Sequence, residues 1–434
     1  MPQEDTSYPL SDASPTEAAA ERLGRDFHVH LGAVGLNAVA GGILFAGVPL
    51  IAASLTQSPQ EIAIVSAATS LPTLLGVVAG LVVDRTDRRR LRLVMFGARA
   101  GLLLGLVAVA LTGNLSIWAL AGLVLLYALA GVFIASANTA MVPQVAPRSK
   151  LAAANSRIQG AMFVLEDIIG APLASLLVLA GAVWLFGVPG LFMVLALLVL
   201  WSGLRGRSFG APQQRTENEP GVGAVAKALR EIREGLGFMA FHKVLRPVFA
   251  MSMAANFAFG AYMAVFVLWM VGPDSAVGVA AELFPLYFTA LALGAVTATL
   301  TVSRMLRIIP DFPLLIAGFW CIPGLIVIQV LWPGPWMMAV TMVLMGFGMT
   351  VGNVIFMTMS QKMVPGHMLG RFSGASQTAS SGLTPLGALL GGLIAEHFGI
   401  AVLYLLVAAV IAVALVYPTV AVRQADVAAL ELTE

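Results

Sequence analysis

Residues 80–89 read GLVVDRTDRR, and Arg90 and Arg92 extend the cluster. On either side lie apolar runs, 59–83 before it and 92–112 after it. Each is long enough to cross a ~30 Å hydrocarbon core, which takes about 20 residues as a helix. Hydrocarbon cannot solvate peptide groups, so such a run must satisfy its own backbone hydrogen bonds as a helix. A knot of arginines between two spanning helices marks a membrane face, because Lys and Arg collect in cytoplasmic connections. The topology of the whole chain is counted outward from this knot.

Twelve runs of this kind lie near 27–55, 59–83, 92–112, 117–142, 151–180, 183–204, 245–271, 279–302, 312–331, 335–360, 368–396 and 399–420. Basic residues recur on one side only. Arg148 and Lys150 follow span four, Arg304 and Arg307 follow span eight, and Lys362 and Arg371 flank the turn after span ten. Eight more lie in 205–246. The opposite connections, such as TQSPQE, TGNLS and LWPGPW, hold no Lys or Arg. All 24 basic residues are thus expected in cytoplasmic segments or within about two turns of that face, with both termini cytoplasmic. No Lys or Arg is expected at the depth of the midplane.

Composition agrees. Of 434 residues, 59% are hydrophobic and 11% charged, against about 25% charged in soluble domains. The mean hydropathy is +0.92. A net charge of +2 argues against a nucleic-acid partner, and the single Cys321 excludes a disulfide framework and a Cys-based metal site. Neither a metal nor a cofactor is expected. The polar first 26 residues lack the short apolar core of a signal peptide.

The two halves repeat at an offset of 219 residues. Asn37 matches Asn256, Arg85 matches Arg304 and Arg88 matches Arg307, while Val142-Pro143 recurs as Val364-Pro365. The expected organisation is a tail (1–26), a six-helix lobe (27–204), a linker (205–244), a second six-helix lobe (245–420) and a tail (421–434). Within the linker, 224–242 has apolar residues at helical spacing and reads as an amphipathic helix on the membrane surface; a solvated tether is the other reading.

The opening stretch resembles the signature loop of the major facilitator superfamily, Gly-x-x-x-Asp-Arg-x-Gly-Arg-Arg, with Asp87 in place of the second glycine. The resemblance implies an all-α polytopic membrane protein of twelve transmembrane helices, two six-helix lobes related by a pseudo-two-fold axis. It also implies that Gly80, Asp84, Arg85, Arg88 and Arg89, with Arg371, form a gating latch against the other lobe. The stretches LREIREGLGFMAFHKVLRP, LAAANSRIQ and VPGHMLGRFSGASQ resemble the drug and siderophore exporter branch, which includes the enterobactin exporter and the macrolide-efflux proteins. Many members of this branch carry an acid in the middle of span one. Here the stretch is Asn37-Ala-Val-Ala-Gly41-Gly42.

Glu166 and Asp167, in FVLEDIIGAP, stand out in a run from Ile158 to Phe186 that has no Lys or Arg. Glu166 lies nine residues past Arg157, about 14 Å along a helix and close to the midplane. A carboxylate at that depth should face protein or a watered cavity, and burial without a cation favours its neutral form. On a helical wheel Glu166 shares a stripe with Asn155 and Gln159, whereas Asp167 falls beside Ser156 and Gly160. Glu166 is the first candidate for a proton-coupling group and Asp167 the second; permanently protonated structural donors are the alternative. The following Gly170-Ala171-Pro172 resembles the span-five antiporter motif.

The resemblance implies that spans one, four, seven and ten line a central path. Asn37, Ser136, Asn138, Asn155, Gln159, Asn256, Phe257, Tyr262, Met349 and Asn353 are the candidates for its wall. The expected function is export of small amphipathic molecules by proton antiport with alternating access, by a monomer in a bacterial-type inner membrane. Its partners are then a small-molecule substrate, protons and the lipid bilayer. The rivals are proton-coupled uptake of a nutrient and, in another class, a membrane enzyme or receptor-like scaffold. The five histidines are scattered, which speaks against an enzyme, and His28 and His30 read as interfacial residues at the start of span one.

Overall fold

In the computed structural model, residues 23–210, 224–365 and 368–422 are described. Most of the expected terminal tails, and 211–223 of the linker, fall outside them. The first six spans are Arg25–Leu55, Pro59–Arg85, Arg88–Leu111, Ile117–Val145, Arg148–Ala180 and Ala182–Gly203. Span seven is Leu245–Ala264, continued by the short helix Phe266–Met270. Spans eight to twelve are Ala281–Met305, Asp311–Leu331, Pro335–Met363, Leu369–Phe398 and Ile400–Ala421. The linker helix Ala224–Phe241 turns by 115° into span seven.

Local sequence explains where helices begin. Ser58 caps span two by accepting from the Glu61 amide, with Pro59 in the first turn, where its missing N–H costs nothing. Asp87 caps span three by accepting from the Arg90 amide, and Ser116 caps span four. On the face without basic residues, spans five and six meet at Gly181 (φ 95°), and spans eleven and twelve meet at Gly399 (φ 88°). Both positions require a residue without a Cβ, and they lie 218 residues apart.

The same offset governs the helix contacts. Span one presses onto span five so closely that a Cβ on Gly42 would fall on the carbonyl oxygen of Glu166, while one on Gly170 would lie 2.8 Å from the Gly42 Cα. In the second half, a Cβ on Gly260 would fall on the carbonyl oxygen of Thr384. Small residues let helix backbones approach where there is no hydrophobic force between spans in lipid.

The lobes meet along span two against span eleven and span five against span eight. These contacts involve Pro59–Ser70 and Ala171–Ala180, the halves nearer the arginine-free face. There the Ser58 hydroxyl donates to Glu396 Oε2 at 2.7 Å, and the Gln60 amide donates to the same oxygen at 3.2 Å. Among the described residues, the halves toward the basic face, Gly76–Arg85 and Leu151–Phe163, make no comparable contact with spans of the other lobe. Among the described residues, the lobes are packed together at the arginine-free face and lack comparable contact between spans at the basic one.

Gly42→Ala should therefore lower the thermal midpoint by an overpacking cost of about 1–3 kcal/mol. Gly101→Ala, where a Cβ would meet nothing within 4 Å, should not lower it. Thermal unfolding of the purified variants in detergent checks this.

Candidate functional site

Span five is not one continuous α-helix. Residues Val164–Gly170 form a π-helical turn between Leu151–Phe163 and Ala171–Ala180, and both acids lie in it. Such wide turns in helices often mark functional sites. Pro172 follows directly, and its missing N–H removes a donor that a regular helix would direct back into this turn. The turn pushes the Glu166 backbone onto Gly42. It also lays the side chain over Gly41, where an added Cβ would sit 3.4 Å from Oε1.

Glu166 lines a cavity of about 800 Å³ between the lobes. Its wall is largely apolar and includes Phe45, Phe186, Phe259, Met263 and Phe288. Asn37, Asn138, Asn155 and Gln159 reach the cavity together with Glu166; Asp167 does not. Asn138 Oδ1 is buried with no hydrogen-bond partner among the described residues.

Six expected wall residues lie off this cavity. Ser136 is on span four but outside the wall. Asn256 donates to the Ser252 carbonyl of its own helix at 2.9 Å, which satisfies the amide locally. Phe257 is drawn toward span eleven, where its carbonyl oxygen packs on Gly387. Tyr262 is buried inside the second lobe, donating to Gln329 Oε1 at 2.8 Å and tilted against Tyr404 at 4.6 Å. Met349 packs against the second lobe's core and Asn353 is exposed, so span ten contributes nothing to the wall. The cavity draws mainly on the first lobe.

One residue overturns the expectation that no basic group reaches the midplane. Arg99 lies eleven residues into span three from Arg88, about 16 Å along the helix, and is 8% exposed. Its Nη1 donates to Asn37 Oδ1 at 2.6 Å and its Nε to the Tyr127 carbonyl at 3.0 Å. The guanidinium stacks over the Tyr127 ring at 4.0 Å. Gly131 on span four makes room, since any Cβ there would collide with Nη2. Arg99 and Glu166 share the cavity without forming a direct ion pair. The signal in the sequence was Arg99 itself, a lone cation well inside an apolar run.

A second buried cation lies nearer the basic face. Arg92 is fully buried, and its Nη1 donates to His30 Nδ1 at 2.9 Å and to the Met141 sulfur at 3.3 Å. His30 is therefore no interfacial residue: it is buried and lines the cavity, whereas His28 stays exposed.

The signature loop is held by the end of span six and the start of the linker. The Ser208 hydroxyl and the Phe209 amide donate to Asp87 Oδ2 at 2.6 and 2.9 Å. Arg88 Nη1 donates to the Gly210 carbonyl at 3.1 Å and Arg89 Nη2 to the Trp201 carbonyl at 3.0 Å. A cation at Arg207, in the same segment, pairs with Asp26. Asp84 and Arg85 are exposed and Gly80 is half-buried with open space around it. The Arg371 side chain lies outside the described residues. In this conformation Arg88 binds the segment after span six; the contact with the other lobe that the resemblance implies belongs to one gating state.

The Major Facilitator Superfamily model matches residues 31–383. The chain belongs to the major facilitator superfamily. It is a transporter and not an enzyme. The multidrug efflux pump Tap of Mycolicibacterium fortuitum is 27% identical over 391 residues, covering 84% of this chain and 88% of the pump. The nucleoside transporter NupG matches with a TM-score of 0.70 at 11% identity, covering 92% of this chain and 99% of its own. A bacterial homologue of the lysosomal transporter Spinster, inward-facing and unoccupied, matches at 0.65 and 15%, covering 95% and 98%. At these identities the structures show a shared fold.

Asp87 lies outside the spans and supports a prediction on stability. Burial works against its charge, but hydrogen bonds from Ser208 and from the Arg90 and Phe209 amides, with the Arg90 charge, outweigh it and hold the carboxyl below its ordinary value of 3.8. The stability it contributes is then present above that value and lost as pH falls below it. Asp87→Ala should cost about 1 kcal/mol through the lost cap and flatten the acid limb of a stability-against-pH curve, read by thermal unfolding from neutral pH downward.

Proposed function

We propose that this transporter exports small amphipathic molecules by proton antiport, with Glu166 as the coupling group. The observation that carries the reading is the placement of one carboxyl on the wall of a mainly apolar cavity, at a π-helical turn pressed against span one. A carboxylate at this depth is costly, so a state in which it is neutral and a state in which it is ionised differ in how well water and cargo are accommodated around it. Alternating access supplies those two states. The likeness to a named efflux pump supports the direction of transport.

The basic face is then cytoplasmic, both termini lie in the cytoplasm of a cell with a bacterial-type inner membrane, and the conformation described is inward-open. Residues 27–204 and 245–420 are the two moving lobes, joined by the linker 205–244. Closing the basic face would bring Gly80, Asp84, Arg85, Arg88 and Arg89 toward the other lobe and Arg371, with the contacts to residues 208–210 exchanged for contacts across the gap. Asp167, off the cavity, is the second coupling candidate.

Proton-driven cargo accumulation in everted vesicles tests the reading. Glu166→Gln should reduce it more than tenfold while cargo binding by the purified protein persists; Asp167→Asn should reduce it less. Unchanged accumulation in both variants and in the double variant would sink the proposal. Cargo moving out of everted vesicles in step with protons would establish the importing alternative.

A further inference from the structure

Arg99 has no place in the coupling scheme above, yet it is the cavity's fixed cation. A guanidinium carries five N–H groups. Two are used, on the Asn37 amide oxygen and the Tyr127 carbonyl. Both acceptors are neutral, as is the Tyr127 ring beneath the guanidinium. None of its nitrogens is among the buried atoms left without a partner, and Arg99 is a lining residue of the cavity. Three contacts and the cleft over Gly131 prevent the side chain from swinging away. The guanidinium is therefore held in place on the cavity wall, and neither of its hydrogen-bond partners is an anion. Across the same cavity, Glu166 is the only acid on the wall among the described residues.

We propose that Arg99, held by the neutral Asn37, sets the charge selectivity of the cavity. It binds amphipathic cargo whose polar end is a neutral hydrogen-bond acceptor, such as a carbonyl or phosphoryl oxygen, and it turns away permanent lipophilic cations. The guanidinium edge offers an acceptor two or more N–H groups in one plane. A cation of the same size meets like charge at a partly desolvated wall, where charge interactions are stronger than in water. The choice of Asn at 37 matters as much as Arg at 99. A carboxylate there would pair with the guanidinium and cancel its field. This inference rests on the reading that the cavity is the cargo site, but not on proton coupling.

Three probes of similar bulk separate charge from shape: tetraphenylphosphonium, tetraphenylborate and triphenylphosphine oxide. Their binding to the purified full chain would be measured by calorimetry or tryptophan fluorescence. The wild-type protein should bind the phosphine oxide more tightly than the phosphonium. Arg99→Gln should reverse that order, with the ratio changing by roughly tenfold or more. Asn37→Asp keeps the guanidinium and neutralises it, so it should shift the ratio in the same direction even if Arg99→Gln does not fold. Glu166→Gln should weaken phosphonium binding further. A merely structural Arg99 would lower affinity for all three probes alike and leave their ratio unchanged; that result in folded Asn37→Asp overturns the inference. If wild type binds none of the three, the reading of the cavity as an amphipathic-cargo site falls, and this inference with it. Binding with the expected ratios but no proton-driven transport would leave the selectivity intact and remove only the coupling.

Discussion

The close backbone contact between spans one and five fixes where everything else in the first lobe can sit. At Gly42 and Gly170 the two helices approach to a distance that no side chain could share. Spans in a bilayer gain little from burying apolar surface against one another, so packing of this kind supplies much of what holds them. The contact also has a chemical result. It places the π-helical turn against span one and leaves the Glu166 carboxyl over Gly41, facing the cavity. Moving this crossing by one turn would carry Glu166 elsewhere.

Charges inside the bilayer are costly, and the first lobe holds several. Each is accommodated differently. Arg99 is surrounded by a carbonyl, an amide oxygen and an aromatic face, with Gly131 clearing the space. Arg92 is packed against His30, the Met141 sulfur and the Phe96 ring. Glu166 has the cavity. Spans one, three and four are therefore tied by polar contacts as well as by packing, which makes the first lobe the chemically specialised one.

The lobes share a backbone plan and differ in chemistry. The tight turns at Gly181 and Gly399, and the crossings at Gly42 and Gly260, recur at one offset. At that offset Glu166 corresponds to Thr384, which also lines the cavity. A hydroxyl stands where the first lobe has its acid. The second lobe buries its polar groups inward instead, in the Tyr262–Gln329–Thr341 chain, and presents Phe259, Met263 and Phe288 to the cavity. Apolar surface from one lobe faces charge from the other.

The number of spans, their ends and the asymmetry of basic residues were legible in the sequence, because hydrocarbon thickness and backbone satisfaction act on each span by itself. The family resemblance was carried by a ten-residue loop, and Glu166 was marked by its depth in an apolar run. What only the tertiary structure decided was which side chains converge. Asn256, Tyr262 and Asn353 had the right residue types, but helix rotation and local partners took them off the cavity. The depth of Arg99 along span three is visible in sequence, whereas the partners that make that depth tolerable are not. Asn37 on span one, Tyr127 and Gly131 on span four and Arg99 on span three come from three separate stretches of chain. Only their packing in three dimensions places that cation in the same cavity as the acid.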